Sequence, residues 1–171
     1  MASWRIILGA VILVGAIAAG LSLKGCEDSA ASGIETVEIK GQKFFLELVA
    51  DNASRMQGLG GRQFIADDGG MLFAFASPAR LNFVMRDCFV DIDVIFLDQF
   101  GNVTAVHHMP VEEPQRDGES DFAYEQRLTR YPSRLQAQFA IELKGGKAAE
   151  LGVQPGERIE LDVERLKSLA K

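Results

Sequence analysis

Alternation of apolar and polar residues runs through much of the chain. Val37 and Ile39 alternate with charged neighbours, and the alternation resumes from Phe44 to Leu48 after the pair Gly41-Gln42. A period of two residues places alternate side chains on one face of a strand, and a pair that contains Gly allows a tight turn. This segment therefore predicts a β-hairpin.

Several later stretches show the same period and are predicted to be strands. They are Met71–Phe75, Leu81–Arg86, Asp91–Asp98, Val103–His108 and Ile159–Val163. The stretch Asp91–Asp98 is apolar on both faces, which is typical of a strand in the interior of a sheet. We therefore expect it to lie in the middle of the sheet.

The clearest alternation lies near the carboxyl end of the chain. It predicts a strand whose buried face carries five residues, Leu135, Ala137, Phe139, Ile141 and Leu143. The residues between them are mostly polar and are assigned to the opposite face.

Short helical segments are predicted between the strands. Asp51 or Asn52 is placed to cap a helix over Ala53–Gln57, which the following glycines end. The charged stretch Gln115–Tyr131 is too long for a hairpin, so we interpret it as a solvated insertion with a surface helix over Ser120–Thr129. Lys147–Leu151 forms one helical turn.

About seven short strands without strand-helix alternation indicate a mainly β fold. The expected architecture is an antiparallel β-sandwich or flattened barrel with one or two short helices. The expected organisation is a signal peptide or membrane anchor over residues 1–25, a flexible spacer over 26–33 and a single β domain over 34–171.

The amino-terminal expectation depends on Ile6–Leu23, a run of apolar and small residues without a charge. As a helix it would be roughly 27 Å long, close to the ~30 Å hydrocarbon core of a bilayer. Arg5 precedes the run, whereas Glu27 and Asp28 follow it. The positive-inside rule therefore predicts that the rest of the chain is extracytoplasmic, in the periplasm or at the cell surface.

Three fates of this segment are compatible with the sequence. Small residues allow cleavage and secretion, whereas retention would anchor the protein in the membrane through residues 6–23. The run Leu23-Lys24-Gly25-Cys26 resembles a bacterial lipobox, which makes Cys26 a candidate for lipidation.

Composition and charge indicate a globular protein and argue against binding to nucleic acid. The chain is 47% apolar and 25% charged, as expected for a globular protein. Its 24 acidic residues outnumber 18 basic ones and give a net charge of −6. Such a surface repels phosphate backbones, so nucleic acid is not an expected partner.

Four ordered groups of residues occur along the globular part. They are Arg55–Leu59 with Arg62 and Gly70–Phe75; Phe83, Met85 and Arg86; Ile92–Asp98 with Gly101; and Glu142-Leu143 followed by Gly145 or Gly146, Gly152-Val153 and Gly156. In this order they resemble the signatures of the bacterial and archaeal family called domain of unknown function 192. The resemblance implies a mostly β domain that is often exported and has no established activity.

At five positions the chain departs from the family pattern. Val84 stands where the family usually has Trp, Asp87 where it has Asn, Cys88 where it has Thr, Asp91 where it has Pro and Gly60 where it has Met. These differences alter the central site.

Asp91 and Asp93 are the first candidates for chemistry. Two positions apart on one strand, their side chains leave the same face and could share a cation or act as a carboxylate pair. The favoured interpretation is a structural role, in which a carboxylate at the edge of the sheet pairs with Arg55, Arg62 or Arg86. His107 and His108 are adjacent on a predicted strand, so their rings leave opposite faces and cannot easily share a zinc ion.

A ligand site is the second candidate. We expect Arg55, Met85, Arg86 and Asp93 to line a small pocket in which an arginine holds a carboxylate or phosphate group. Cys88 is interpreted as a buried thiol, with nucleophilic chemistry as the alternative. The chain contains neither a phosphate-binding loop nor a Gly-x-Ser-x-Gly elbow, and the sequence indicates no cofactor.

The favoured functional hypothesis is a non-catalytic module of the cell envelope. It would bind a small anionic or carbohydrate-like ligand, or an envelope protein. The alternative hypothesis is an extracytoplasmic hydrolase that uses Asp91 and Asp93 with or without a divalent cation.

Overall fold

A computed structural model describes residues 33–171, in which strands predominate over short helices. The strands are β1 (Ile34–Ile39), β2 (Gln42–Val49), β3 (Gly69–Ala79), β4 (Asn82–Phe83), β5 (Ile92–Leu97), β6 (Val103–Met109), β7 (Tyr131–Pro132) and β8 (Ala137–Lys144). The helices are α1 (Asn52–Gln57), α2 (Asp121–Arg127), α3 (Lys147–Leu151) and α4 (Val163–Leu169). The prediction of a mainly β fold with short helices is confirmed.

Six strands form one mixed sheet in the order β1-β2-β3-β8-β5-β6, and β4 pairs separately with β7. The pair β2 and β3 is parallel, whereas the other pairs are antiparallel. The prediction of a wholly antiparallel arrangement was therefore wrong. The connection over residues 50–68 returns the chain to the same end of the sheet, as a parallel pair requires.

The expected barrel is also absent from the described part of the chain, because β1 and β6 remain at opposite edges of the sheet. Helices cover one face of this sheet, whereas loops and the small two-stranded sheet of β4 and β7 cover the other. One face packs against α3 and α4 through Ala148 and Leu166. The other packs against loops that contribute Leu59, Met85 and Cys88.

Strand β8 is buried on both faces. The alternation along its sequence predicted one polar, exposed face, and that prediction was wrong. In β8 the polar residues Gln138 and Glu142 are buried together with the apolar residues beside them. Leu135, which the pattern placed on the buried face, precedes the strand and is 62% exposed.

The predicted last strand over Ile159–Val163 is wrong. Ile159 is buried beside an isolated bridge between Asn102 and Arg158, but no regular strand forms there. The Asp162 carboxylate accepts a hydrogen bond from the Arg165 amide and begins α4. A capping carboxylate satisfies one of the unpaired amides of a first helical turn, which favours helix over strand.

The other short elements follow the sequence more closely. Asp51 caps α1 by accepting a hydrogen bond from the Ser54 amide at 3.0 Å, and Ser120 caps α2 in the same manner. The predicted strand Leu81–Arg86 contains only the two residues of β4, and the rest of that segment is a loop.

Within residues 33–171 no helix is both long and apolar enough to cross a membrane. The predicted segment Ile6–Leu23, most of the predicted spacer and the candidate lipidation site Cys26 lie outside the described residues.

Candidate functional site

A cleft of about 310 Å³ opens on the face of the sheet that lies opposite α3 and α4. One wall is α1 with the loop that follows it, and another is the segment 81–88. Aromatic rings form much of the lining. Phe83 meets Phe73 edge-on at a centroid distance of 5.1 Å and packs in the same way on Phe96 behind it.

Glycines allow the two walls to approach each other closely. A Cβ atom at Gly60 would lie 2.9 Å from the Gln57 carbonyl oxygen and 3.3 Å from the Arg86 carbonyl oxygen. The next residue, Gly61, donates its amide hydrogen to the Asp87 carbonyl at 2.8 Å. This contact joins the loop after α1 to the segment 81–88 and closes one end of the cleft.

Glu142 reaches the cleft from β8 and is its most unusual residue. Glu142 is only 5% exposed, and its Oε2 atom has no hydrogen-bond partner among the described residues. Burial raises the pKa of this carboxyl to about 8, against an opposing contribution from the Leu59 amide. At neutral pH the group is therefore mostly a neutral acid, which can donate or accept a hydrogen bond.

Arg55 lies at the rim of the cleft on α1. Its guanidinium donates to the Ala74 carbonyl at 2.7 Å, to Asn52 Oδ1 at 2.6 Å and to the Lys171 backbone oxygen at 2.6 Å. It also lies over the Phe75 ring, 5.0 Å from the centroid. Partial burial lowers the pKa of Arg55, but a guanidinium stays charged at any physiological pH. The rim therefore carries a fixed positive charge.

Arg86 contributes a second guanidinium and is paired with Glu125 of α2. Tyr124 of the same helix supports the neighbouring residue, because its hydroxyl accepts the Asp87 amide hydrogen at 3.0 Å. The stretch that the sequence indicated as a solvated insertion thus packs through α2 against one wall of the cleft.

Cys88 lies in that wall as a buried free thiol. Burial raises its pKa to about 12, with further contributions from Glu142 and Asp87. A nucleophilic cysteine requires a lowered pKa, so this environment favours a structural thiol.

The cleft brings together two of the four residues predicted to form a ligand pocket. Arg55 and Arg86 both line it, and Met85 is buried in the core beside it. Asp93 lies on the opposite face of the sheet. Its Oδ1 atom is 2.7 Å from His108 Nδ1, and its Oδ2 atom accepts the Ala148 amide hydrogen at 2.7 Å.

Asp91 and Asp93 both approach His108. Asp91 is half exposed, its Oδ1 atom accepts the Val111 amide hydrogen at 2.8 Å, and its Oδ2 atom is 3.8 Å from His108 Nε2. These contacts connect β5 to β6 and to the first turn of α3. In the described part of the chain, no three His, Cys, Asp or Glu side chains are arranged to hold a metal ion.

The arginines named as partners for these carboxylates pair elsewhere. Arg62 forms a two-pronged ion pair with Glu47 at 2.6 Å, while Arg55 and Arg86 make the contacts described above. The structural role of Asp93 therefore depends on His108 and a helix amide.

Sequence reasoning missed Glu142, although it belongs to the closing signature of the family resemblance. The alternation assigned it to the polar face of β8. Ala140 on the same face was an available signal, since a small apolar residue in the middle of that face indicates a covering layer.

The fold and the site together define a small mixed-sheet β protein with a buried carboxyl at the base of an aromatic cleft. The family model DUF192, described as "Uncharacterized ACR", matches residues 35–161, and the chain belongs to this family. No curated protein matches the chain.

Two solved structures are similar to it. A protein of unknown function from Novosphingobium aromaticivorans DSM 12444 is 26% identical with a TM-score of 0.62, and the match covers 78% of this chain and 94% of that one. A protein from Sinorhizobium meliloti 1021, provisionally described as a transcription regulator, is also 26% identical with a TM-score of 0.56. Here the match covers 75% of this chain and 92% of the other.

Proposed function

We propose that the protein binds a small organic molecule in the cleft beneath α1 and performs no chemistry on it. The observation that carries this proposal is the Glu142 carboxyl, which lines an aromatic cleft and whose buried Oε2 atom has no hydrogen-bond partner in the described structure. Leaving a buried polar group unpaired costs about 1–3 kcal/mol. A ligand that supplies the missing partner recovers that free energy.

The dimensions of the cleft support a small ligand. A volume of about 310 Å³ corresponds to roughly ten water molecules at ~30 Å³ each, and thus to a metabolite of about ten non-hydrogen atoms. Small-molecule sites are typically apolar with a few polar groups at defined positions. Phe73 and Phe83 supply the apolar part, while Glu142 and Arg55 supply the polar groups.

Catalysis has less support. The thiol of Cys88 is held in its protonated form, and the carboxylates of Asp91 and Asp93 are engaged by His108 and by backbone amides. No observation favours the alternative hydrolase. We also do not extend transcription regulation from the Sinorhizobium protein to this chain, because a net charge of −6 opposes binding to DNA.

A thermal-shift screen of the purified full chain against metabolites and cell-wall fragments tests the proposal. A ligand at one hundred times its Kd adds about 2.7 kcal/mol, which raises the Tm by several degrees. The variant Val84→Trp fills the cleft, since Val84 lines it, and is expected to abolish the shift.

Leu135→Trp is the matched control, because Leu135 is exposed and lies outside the cleft. It should preserve the shift. A shift that survives Val84→Trp, or a screen that yields no compound sensitive to this variant, would contradict binding in the cleft.

We further propose that the protein works outside the cytoplasm. The support is the uncharged run Ile6–Leu23 with Arg5 before it and Glu27 and Asp28 after it. A phosphatase that is active only outside the cytoplasm should be active when fused after Lys171. The same fusion without residues 1–25 should be inactive, and activity of both or of neither would argue against this location.

A further inference from the structure

Among the polar residues that line the cleft, Glu142 and Arg55 differ in character and lie at separate places. Glu142 lies at the base, and Arg55 lies at the rim with three of its five N–H donors engaged in the described structure. The two groups do not contact each other. Burial dominates the raised pKa of Glu142, and no arginine contributes to it. A ligand can therefore interact with each group independently.

The surroundings of Glu142 favour a positively charged group. In its ionised form the buried Glu142 carboxylate needs a cation as partner, and none contacts it in the described structure. The faces of the neighbouring Phe73 and Phe83 rings carry partial negative charge and attract cations as well. At the rim, by contrast, the guanidinium of Arg55 repels a cation and attracts an anion.

We propose that the cleft binds a small zwitterion whose primary ammonium group is held by Glu142 among the phenylalanine rings and whose anionic group is held by Arg55. This inference rests on the proposed function and specifies its ligand class. The volume of the cleft fits an α-amino acid with an apolar side chain, such as leucine.

Binding of such a ligand releases a proton. The free protein carries Glu142 as a neutral acid at pH 7, and the bound ammonium stabilises the carboxylate, so the proton passes to the solvent. The thiol of Cys88, the neighbouring titratable group, remains protonated at this pH. The other charged groups of the two walls are Asp87, Arg86 and Arg55. Glu142 is therefore the source of the proton.

Isothermal titration calorimetry of the full chain at pH 7 tests the inference with matched probes. The probes are leucine, leucinamide, which lacks the carboxylate, and 4-methylpentanoate, which lacks the ammonium group; phenylalanine, its amide and 3-phenylpropanoate form a second series. In at least one series the zwitterion should bind about tenfold or more tightly than either partial analogue. Its apparent enthalpy should differ between PIPES and HEPES buffers, which contain neither phosphate nor a primary amine, by the amount that corresponds to release of about one proton.

Glu142→Gln should weaken the binding of the amino acid and of its amide by about tenfold or more. The affinity for the deaminated acid should not change. The variant should also abolish the difference between buffers. The proton release of the wild-type chain stands as an independent measurement if the variant folds poorly.

Three results would overturn the proposal that the ligand is a zwitterion. They are equal affinity for the amino acid and the deaminated acid, no binding of either amino acid, and enthalpies that do not depend on the buffer. Binding of any compound that Val84→Trp abolishes would still support a ligand cleft. If no zwitterion binds and no other compound binds in a way that Val84→Trp abolishes, the proposed function itself is refuted.

Discussion

Replacing Ile141 with aspartate is expected to unfold the protein. Ile141 is fully buried in β8, where it pairs with Leu72 of β3 and with Ile95 of β5. Loss of its apolar burial costs about 1.5–3 kcal/mol. An unpaired carboxylate in the same place adds several kcal/mol, so the sum approaches the whole stability of a typical domain, about 5–15 kcal/mol. Circular dichroism and thermal denaturation of the purified full chain measure the loss.

Leu135→Asp is the matched control for this substitution. The alternation along the sequence places Leu135 and Ile141 on the same face, whereas the structure leaves Leu135 62% exposed. We therefore expect a change within about 0.5 kcal/mol for Leu135→Asp. If both variants unfold, or if Ile141→Asp melts like the wild type, the register of β8 is incorrect.

The second large effect concerns the pH dependence of stability, which we expect Glu142 to dominate. Its pKa in the folded protein is about 8, against an ordinary value of 4.5. Between these values the folded state binds one more proton than the unfolded state, so stability falls as the pH rises. The stabilisation is complete below the ordinary pKa and is lost as the pH passes through the folded pKa. The slope is about 1.4 kcal/mol per pH unit, which amounts to a few kcal/mol across the window.

Glu142→Gln removes this titration but keeps nearly the same shape. Urea denaturation of both proteins at several values between about pH 5 and pH 8 should show a wild-type stability that falls more steeply than that of the variant. The histidines are common to both proteins, so their contributions cancel in the difference. Parallel curves would show that Glu142 does not titrate in this range.

Local features of the fold could be predicted from the sequence because they depend on neighbouring residues. The hairpin of β1 and β2 follows from alternation around Gly41, and α1 and α2 begin at the capping residues Asp51 and Ser120. The interior position of β5 follows from its apolar residues on both faces.

The pairing of distant strands could not be predicted in the same way. Alternation shows which side chains share a face, but it does not specify which strand lies beside another or in which direction. The parallel pairing of β2 with β3 therefore escaped prediction. The segment around Asp162 illustrates a related difficulty, because three alternating apolar residues competed with a capping carboxylate and the cap determined the structure.

The sequence predicted only part of the candidate site, because local motifs are readable and burial by a distant segment is not. Arg55 and Arg86 belong to recognisable motifs, and both line the cleft. Glu142 is polar in a strand that alternates, so the pattern assigned it to an exposed face. The loop after α1 and the segment 81–88 fold across that face and bury it.

Helix α1 forms one wall of the cleft but contributes no buried side chain to the core. Arg55 connects it to the sheet through the Ala74 carbonyl of β3 and to the segment after α4 through the Lys171 backbone oxygen. Segments with few buried contacts open at a much lower free energy than the strands beneath them. For the ligand that we propose, we therefore expect release by detachment of this wall while the sheet stays intact.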